Sequence, residues 1–125
     1  MEFTPIKSFK DLIVWQEGHV LVIEIYKITK TFPKDELFGL TNQIRRASVS
    51  ITSNISEGFN RNSQKEKLQF YFIALGSLAE VQNQVIVARD IGYLSLELSA
   101  KIEAQITVIQ KLLNGLIKKI RLSSA

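Results

Sequence analysis

The chain has 125 residues, with 16 lysines and arginines against 12 aspartates and glutamates, and no cysteine. This length is typical of one domain that buries roughly two thirds of the surface of its unfolded form, and the lack of cysteine excludes a disulfide framework and a thiolate metal site. The net charge of +4 permits an anionic partner without requiring one.

We expect neither a targeting segment nor a membrane segment in this chain. Its amino-terminal residues lack the basic and then apolar layout of a secretion signal. The longest uncharged run, Leu68–Ala79, is much shorter than the about 20 residues that span a bilayer. Because the absence of cysteine also fits a reducing compartment, we expect a cytoplasmic protein that does not insert into a membrane.

The first predicted helix covers about residues 9–32. It ends before Pro33, because proline disfavours helical geometry in the residue that precedes it. Apolar residues recur at three- and four-residue steps and so share one face. They are Val14, Gly18, Leu21, Ile25, Ile28 and Phe32. A second apolar strip, formed by Trp15, Val22 and Tyr26, makes this helix apolar over more than one face.

The second predicted helix covers about residues 36–58. Its apolar face consists of Leu37, Leu40, Ile44, Ala47, Ile51, Ile55 and Gly58. Gly58 is typical of a carboxyl-terminal stop. Ser63 followed by Glu66 then predicts a capping box at the start of the third helix.

The third predicted helix, at about residues 64–91, has no single apolar face, since the six apolar residues 70–75 point all round its axis. A helix that is apolar on every side must be covered on every side. Either this helix lies deepest in the molecule or copies of the chain associate. Together with the second strip on the first helix, this excess of apolar surface favours self-association.

The fourth predicted helix, at about residues 96–121, again has one apolar face. That face consists of Leu98, Ile102, Ile106, Ile109, Leu113, Leu116 and Ile120. Four helices of similar length with short connections predict an all-α, antiparallel up-down-up-down four-helix bundle, because short loops make consecutive helices antiparallel neighbours. We expect a single domain over residues 1–125.

Polar residues flank the apolar face of the second helix and share one face of the third. Those on the second helix are Arg46, Ser50, Asn54 and Glu57, and those on the third are Ser77, Glu80 and Gln84. An ion pair between Arg46 and Glu80, within the chain or between subunits, would select the register of the helices. The candidate interface or register residues are Arg46, Ser50, Asn54, Glu57, Ser77, Glu80, Trp15, Tyr26 and Phe70.

The residues do not favour catalysis. A nucleophilic serine needs a base within hydrogen-bonding reach, but the only histidine, His19, belongs to another helix than Ser50. A di-metal bundle needs Glu-x-x-His pairs, and no glutamate stands three residues before His19. We expect no enzyme activity, metal, cofactor or small-molecule substrate; a hydrolase built around Ser50 or Glu57 is the least favoured alternative.

Positive charge is concentrated at one end of the predicted bundle, where the amino-terminal arm, the link between the second and third helices and the carboxyl terminus meet. Its cations are Lys7, Lys10, Arg61, Lys65, Lys67, Lys118, Lys119 and Arg121, and its acids are Glu2, Asp11, Glu57 and Glu66. This basic end is either a solvated rim or, repeated in an oligomer, a ring for phosphate backbones. No aromatic stacking ladder stands among the lysines, so binding should depend strongly on salt and weakly on sequence.

Three stretches of the chain resemble a known family. They are DLIVWQ (Asp11–Gln16), TFPKDELFGLTNQIRRASVSITSNISEGFNR (Thr31–Arg61) and LGSLAEVQNQVIVARDIGYL (Leu75–Leu94). All three closely resemble the bacterial four-helix-bundle proteins called 23S ribosomal RNA intervening-sequence proteins, also labelled S23 ribosomal protein. Ser56 stands where this family usually has alanine, a small-for-small change that leaves the expected fold unaltered.

The resemblance implies a left-handed antiparallel bundle that assembles into a ring, most often a pentamer, without catalytic activity. The chain is also similar to the accessory variability determinant of diversity-generating retroelements, a basic pentameric bundle thought to bind nucleic acid and a reverse transcriptase. From this similarity and from the basic end, the candidate nucleic-acid contacts are Arg45, Arg46, Arg61, Lys65, Lys67, Lys118, Lys119 and Arg121. The function expected is that of a non-catalytic oligomer that binds RNA or DNA; the alternative is a scaffold that docks a partner enzyme through apolar helix faces.

Overall fold

Four α-helices form the computed structural model of the chain, which describes residues 5–123. They are α1 (Ile13–Thr29), α2 (Leu40–Asn60), α3 (Gln64–Asp90) and α4 (Leu96–Ser123). Helix α1 contacts α2 and α4, and α3 contacts the same two helices, so consecutive helices are neighbours around a closed bundle. Within the described range there is no strand. The predicted all-α, antiparallel up-down-up-down four-helix bundle is confirmed.

One apolar face of each helix lines the core. At its centre Leu21, Ile51, Val81 and Ile109, one from each helix, are completely buried. Most residues that the periodicity placed inside are buried or half-buried. Two are not: Leu37 and Leu98 are exposed, the first because it precedes α2 and the second because it lies in the first turn of α4.

Two short turns shift the starts of α1 and α2 from the predicted bounds. Residues Phe9–Asp11 form a separate 3-10 turn capped by Ser8, so that α1 begins only at Ile13. Residues Lys34–Glu36 form another such turn before α2. Local turn chemistry of this kind splits a run that periodicity alone joins to the helix.

The connection between α2 and α3 also departs in part from expectation. Gly58 does not stop α2, which continues to Asn60. Ser63 caps α3 as predicted, because its hydroxyl accepts a hydrogen bond from the Glu66 N–H at 3.1 Å. The Glu66 carboxylate accepts from the Ser63 hydroxyl at 3.2 Å, so it completes a side-chain pair and not the expected reciprocal backbone bond.

Helix α3 keeps a large apolar area outside the bundle. Its inner face is buried, but Phe72, Ile73 and Val87 are 44%, 50% and 40% exposed. By length and composition α3 is the one helix of the described chain that could cross a membrane, although less than half of its most apolar stretch is buried in the bundle. The prediction that α3 is apolar on several sides is therefore correct, and the bundle alone does not cover it.

Candidate nucleic-acid interface

The basic end is assembled from three separate parts of the chain, as the antiparallel topology requires. The side-chain amide of Gln64, at the start of α3, donates to the Ser123 hydroxyl, at the end of α4, at 2.9 Å. The amino-terminal arm joins them, because its 3-10 turn Phe9–Asp11 contacts α2. All eight predicted cations of this end belong to these segments, against the acids Asp11, Glu57 and Glu66. Glu2 lies outside the described residues.

Two of these cations contribute to the structure of the end itself. The Arg61 Nη2 atom lies 3.1 Å from the Glu57 Oε2 atom, across one helical turn. The Lys67 Nζ atom donates to the carbonyl oxygens of Gly58 and Phe59, at 3.2 and 2.7 Å, and so satisfies two carbonyls at the end of α2. Desolvation lowers the pKa of Lys67. Arg61 and Lys67 are therefore already engaged by the chain.

Three other cations are directed to solvent. Lys65, Lys118 and Lys119 are exposed, and no carboxylate among residues 5–123 forms an ion pair with them. Lys7 and Lys10 precede Asp11, and that carboxylate accepts the backbone N–H groups of Lys7 and Ser8 at 2.9 and 3.0 Å. These two hydrogen bonds lower the pKa of Asp11. The positive charge that is open to a ligand is thus greatest at Lys65, Lys118 and Lys119.

Three aromatic rings pair with cations of this end. The Arg61 guanidinium lies over the Phe70 ring at 4.7 Å, and the Arg121 guanidinium lies over the Phe72 ring at 5.0 Å. The Lys67 Nζ atom lies 5.6 Å from the centre of the Phe59 ring. The pairs join residues of different helices or turns, so their proximity depends on how the helices pack. Each contact orients a cation at the rim of the bundle.

Arg45 and Arg46 are not part of the basic end. Arg61, which follows the last residue of α2, is fifteen positions after Arg46, which is about 22 Å along the helix axis. The Arg45 Nε atom donates to the Thr29 hydroxyl at 2.8 Å, and its guanidinium lies over the Tyr26 ring at 4.8 Å. The two arginines therefore form no continuous surface with the cations of the basic end, and Arg45 ties α2 to α1.

The polar residues of α2 and α3 meet in a seam between these helices. The hydroxyl oxygens of Ser50 and Ser77 lie 2.8 Å apart. The Asn54 amide donates to the carbonyl and the hydroxyl of Ser50, at 2.8 and 3.1 Å. His19 is on α1, where its ring stacks on Trp15 at 4.9 Å. Ser50 thus has a packing partner, and the histidine that a nucleophile needs is not beside it.

Arg46 and Glu80 line the same surface cavity of about 480 Å³, together with Ser50, but they form no ion pair within the described chain. Glu80 instead accepts from the Gln84 amide at 3.3 Å. The Gln84 Oε1 atom is buried without a partner. The Arg46–Glu80 ion pair is therefore not formed within one chain. An ion pair between Arg46 of one subunit and Glu80 of another stays a prediction.

The other candidate interface residues lie at separate places. Tyr26 and Phe70 each carry an arginine on their ring. Trp15 packs edge-on against Phe9 at 5.3 Å and is half-buried. They form no single surface. No cluster of three potential metal ligands occurs among residues 5–123.

Comparison with known proteins agrees with this architecture. The family model described as 23S rRNA-intervening sequence protein matches residues 10–115. Among solved structures, the chain is similar to a protein of unknown function from the S23 ribosomal protein family of Bacteroides thetaiotaomicron VPI-5482. The two are 25% identical, with a TM-score of 0.79, over 85% of this chain and 99% of that one. No curated protein matches the sequence.

Proposed function

Since the chain belongs to the 23S rRNA-intervening sequence protein family, we propose that it is a non-catalytic protein that binds RNA through its basic end. The observation that carries the proposal is the group of Lys65, Lys118 and Lys119, three exposed cations without a carboxylate partner in the described chain. Phosphate backbones are the polyanions that such a surface attracts, and the binding releases counterions. DNA presents the same backbone, so the RNA preference is supported by the family and not by the charge.

Assembly strengthens this proposal. We propose that copies of the chain associate through their exposed apolar residues, in a pentamer by resemblance to the family, and that the basic ends lie side by side in one cytoplasmic particle. Several weak contacts then act together, and their combined affinity exceeds that of one chain. A non-catalytic role is supported by the seam at Ser50, where the hydroxyl is paired with Ser77.

The test is the salt dependence of binding to a short single-stranded RNA, measured by fluorescence anisotropy. The triple variant Lys65→Glu/Lys118→Glu/Lys119→Glu should weaken binding by more than tenfold at low salt and should lower the slope of log affinity against log salt by about 2. Its matched control is Lys27→Glu/Lys30→Glu/Lys34→Glu, which changes the net charge equally at the other end of the bundle. Equal losses in the two variants, or no binding by the native protein at low salt, would refute the proposal.

A second candidate is a scaffold that docks a partner enzyme, and the exposed outer face of α3 favours it. Phe72, Ile73 and Val87 offer an apolar surface of the kind that protein partners cover. If the chain is a scaffold, a pull-down should recover the same partner protein after nuclease treatment. The variant Ile73→Asp should no longer bind this partner. Release of every bound protein by nuclease would exclude the scaffold.

A further inference from the structure

A small cavity opens within the basic end, between α2, α3, α4 and Leu12, the residue before α1. Its volume is about 220 Å³. The walls are mainly apolar, and two lysines belong to them. The lining residues are Leu12, Phe59, Lys67, Tyr71, Leu116, Lys119, Ile120 and Ser123. The cavity therefore combines an apolar interior with positive charge.

A close approach of α2 and α3 forms one wall of this cavity. Gly58 faces the ring of Tyr71 so closely that a Cβ atom on Gly58 would lie 2.6 Å from the Tyr71 Cε1 atom. Lys67 fixes the same junction through the carbonyls of Gly58 and Phe59. Tyr71 and Phe59 are thus held in place by the fold before any ligand arrives.

The Tyr71 hydroxyl is available for a hydrogen bond. The residue as a whole is only 2% exposed, yet among residues 5–123 no group forms a hydrogen bond with this hydroxyl. The oxygen is not among the fully buried atoms that lack a partner, so it is not completely enclosed, and Tyr71 is one of the residues that line the cavity. Burial raises the pKa of Tyr71 to about 12, and the hydroxyl therefore keeps its proton at neutral pH.

We propose that this cavity holds one unstacked base of a single-stranded RNA, whose flanking phosphates lie on Lys119 and Lys118. The inference rests on the proposed function and deepens it, because it assigns the bases a binding site beside the phosphate-binding lysines. A cavity of about 150 Å³ holds a benzene molecule, so 220 Å³ is sufficient for one heteroaromatic ring. The Tyr71 hydroxyl supplies a hydrogen bond to a base edge, and the apolar walls and the Phe59 ring cover the base.

The charge and the shape of the site both favour a nucleobase over a fatty chain. A base is apolar on its faces and polar at its edge, which matches apolar walls that include one free hydroxyl. It is also covalently joined to anions on either side, which matches the lysines at the cavity and next to it. Recognition of this kind is tolerant of sequence, because every base has a face that packs against an aromatic or apolar wall.

The experiment compares a short single-stranded RNA with an abasic strand that has the same backbone, by fluorescence anisotropy at fixed salt. The native protein should bind the RNA about tenfold more tightly than the abasic strand. Leu116→Trp, which fills the cavity, should remove this difference, and Tyr71→Phe, which deletes only the hydroxyl, should reduce it severalfold. Val108→Trp, on the exposed face of α4, is the matched control and should leave it intact.

Each outcome decides the matter. If both strands bind equally and neither cavity variant has an effect, the base site is refuted while binding to the backbone stands. If neither strand binds at low salt, the proposed function fails as well. Binding to anionic phospholipid vesicles that Leu116→Trp abolishes would assign the cavity to a lipid and refute the base site. Circular dichroism verifies that each variant folds. If Leu116→Trp does not fold, Tyr71→Phe still tests the proposal.

Discussion

At the level of single residues, the contact between Gly58 and Tyr71 determines how closely α2 and α3 approach. Sequence reasoning assigned Gly58 to the end of a helix, where glycine is common. In the structure Gly58 lies inside α2 and is buried. A glycine is needed at this position because a side chain would overlap the Tyr71 ring. Gly115 of α4 is the opposite case, since a Cβ atom there meets nothing within 4 Å.

We expect Gly58→Ala to lower the free energy of unfolding by about 1–3 kcal/mol, because the new methyl group must displace the Tyr71 ring. Gly115→Ala, in an exposed helix interior, should raise it by about 0.5–1 kcal/mol, since alanine restricts the unfolded chain more than glycine does. Urea unfolding followed by circular dichroism measures both. Stabilisation by both substitutions would show that Tyr71 moves aside at little cost.

At the level of helices, the seam between α2 and α3 joins two elements through side chains. Ser50 and Ser77 share a hydrogen bond, Asn54 supports Ser50, and α3 starts at a serine cap. The sequence showed that these polar residues flank the apolar faces, because this follows from helical periodicity. Which of these residues contact each other depends on the position of α2 relative to α3 along their axes. The periodicity of each helix does not determine this position.

We expect Ser50→Ala and Ser77→Ala each to cost about 1 kcal/mol of unfolding free energy, since each leaves one half-buried or buried hydroxyl without its partner. The double variant should cost little more than either single one, because the partner is then removed as well. A double-mutant cycle in urea measures the coupling. Ser53→Ala, at an exposed position of the same helix, is the control and should change stability by less than about 0.5 kcal/mol. Fully additive costs would contradict the shared hydrogen bond.

At the level of the whole molecule, the bundle leaves apolar surface uncovered. Val22 and Trp15, which the sequence assigned to a surplus strip on α1, are buried and half-buried within one chain. The third member of that strip, Tyr26, is 39% exposed. Other exposed apolar residues are Val20 and Ile23 on α1 and Phe72, Ile73 and Val87 on α3. Self-association therefore remains a prediction, and Phe72 and Ile73, which belong to the all-round apolar stretch of the third helix, are among the exposed residues on which it depends.

We expect the solution mass to be a multiple of 14.2 kDa, and Ile73→Asp to shift it towards that of one chain, because a carboxylate in an apolar interface loses its hydration. Val108→Asp is the matched control, since Val108 is 46% exposed and Ile73 is 50% exposed. Sedimentation at several protein concentrations measures the mass. A mass of one chain at every concentration, or partition of the protein into membranes, would contradict association through α3.

The sequence by itself determined the number of helices, most of their buried residues and the family. It also determined that the amino-terminal arm, the link between α2 and α3 and the carboxyl terminus lie at the same end of the bundle. These properties follow from periodicity, from turn residues and from chain direction, which are local or topological. Only the tertiary structure showed that Arg45 ties α2 to α1, placed phenylalanine rings under cations and opened the cavity at Tyr71. The reason is physical: these features depend on the rotation and spacing of packed helices, which the side chains of all four helices set together.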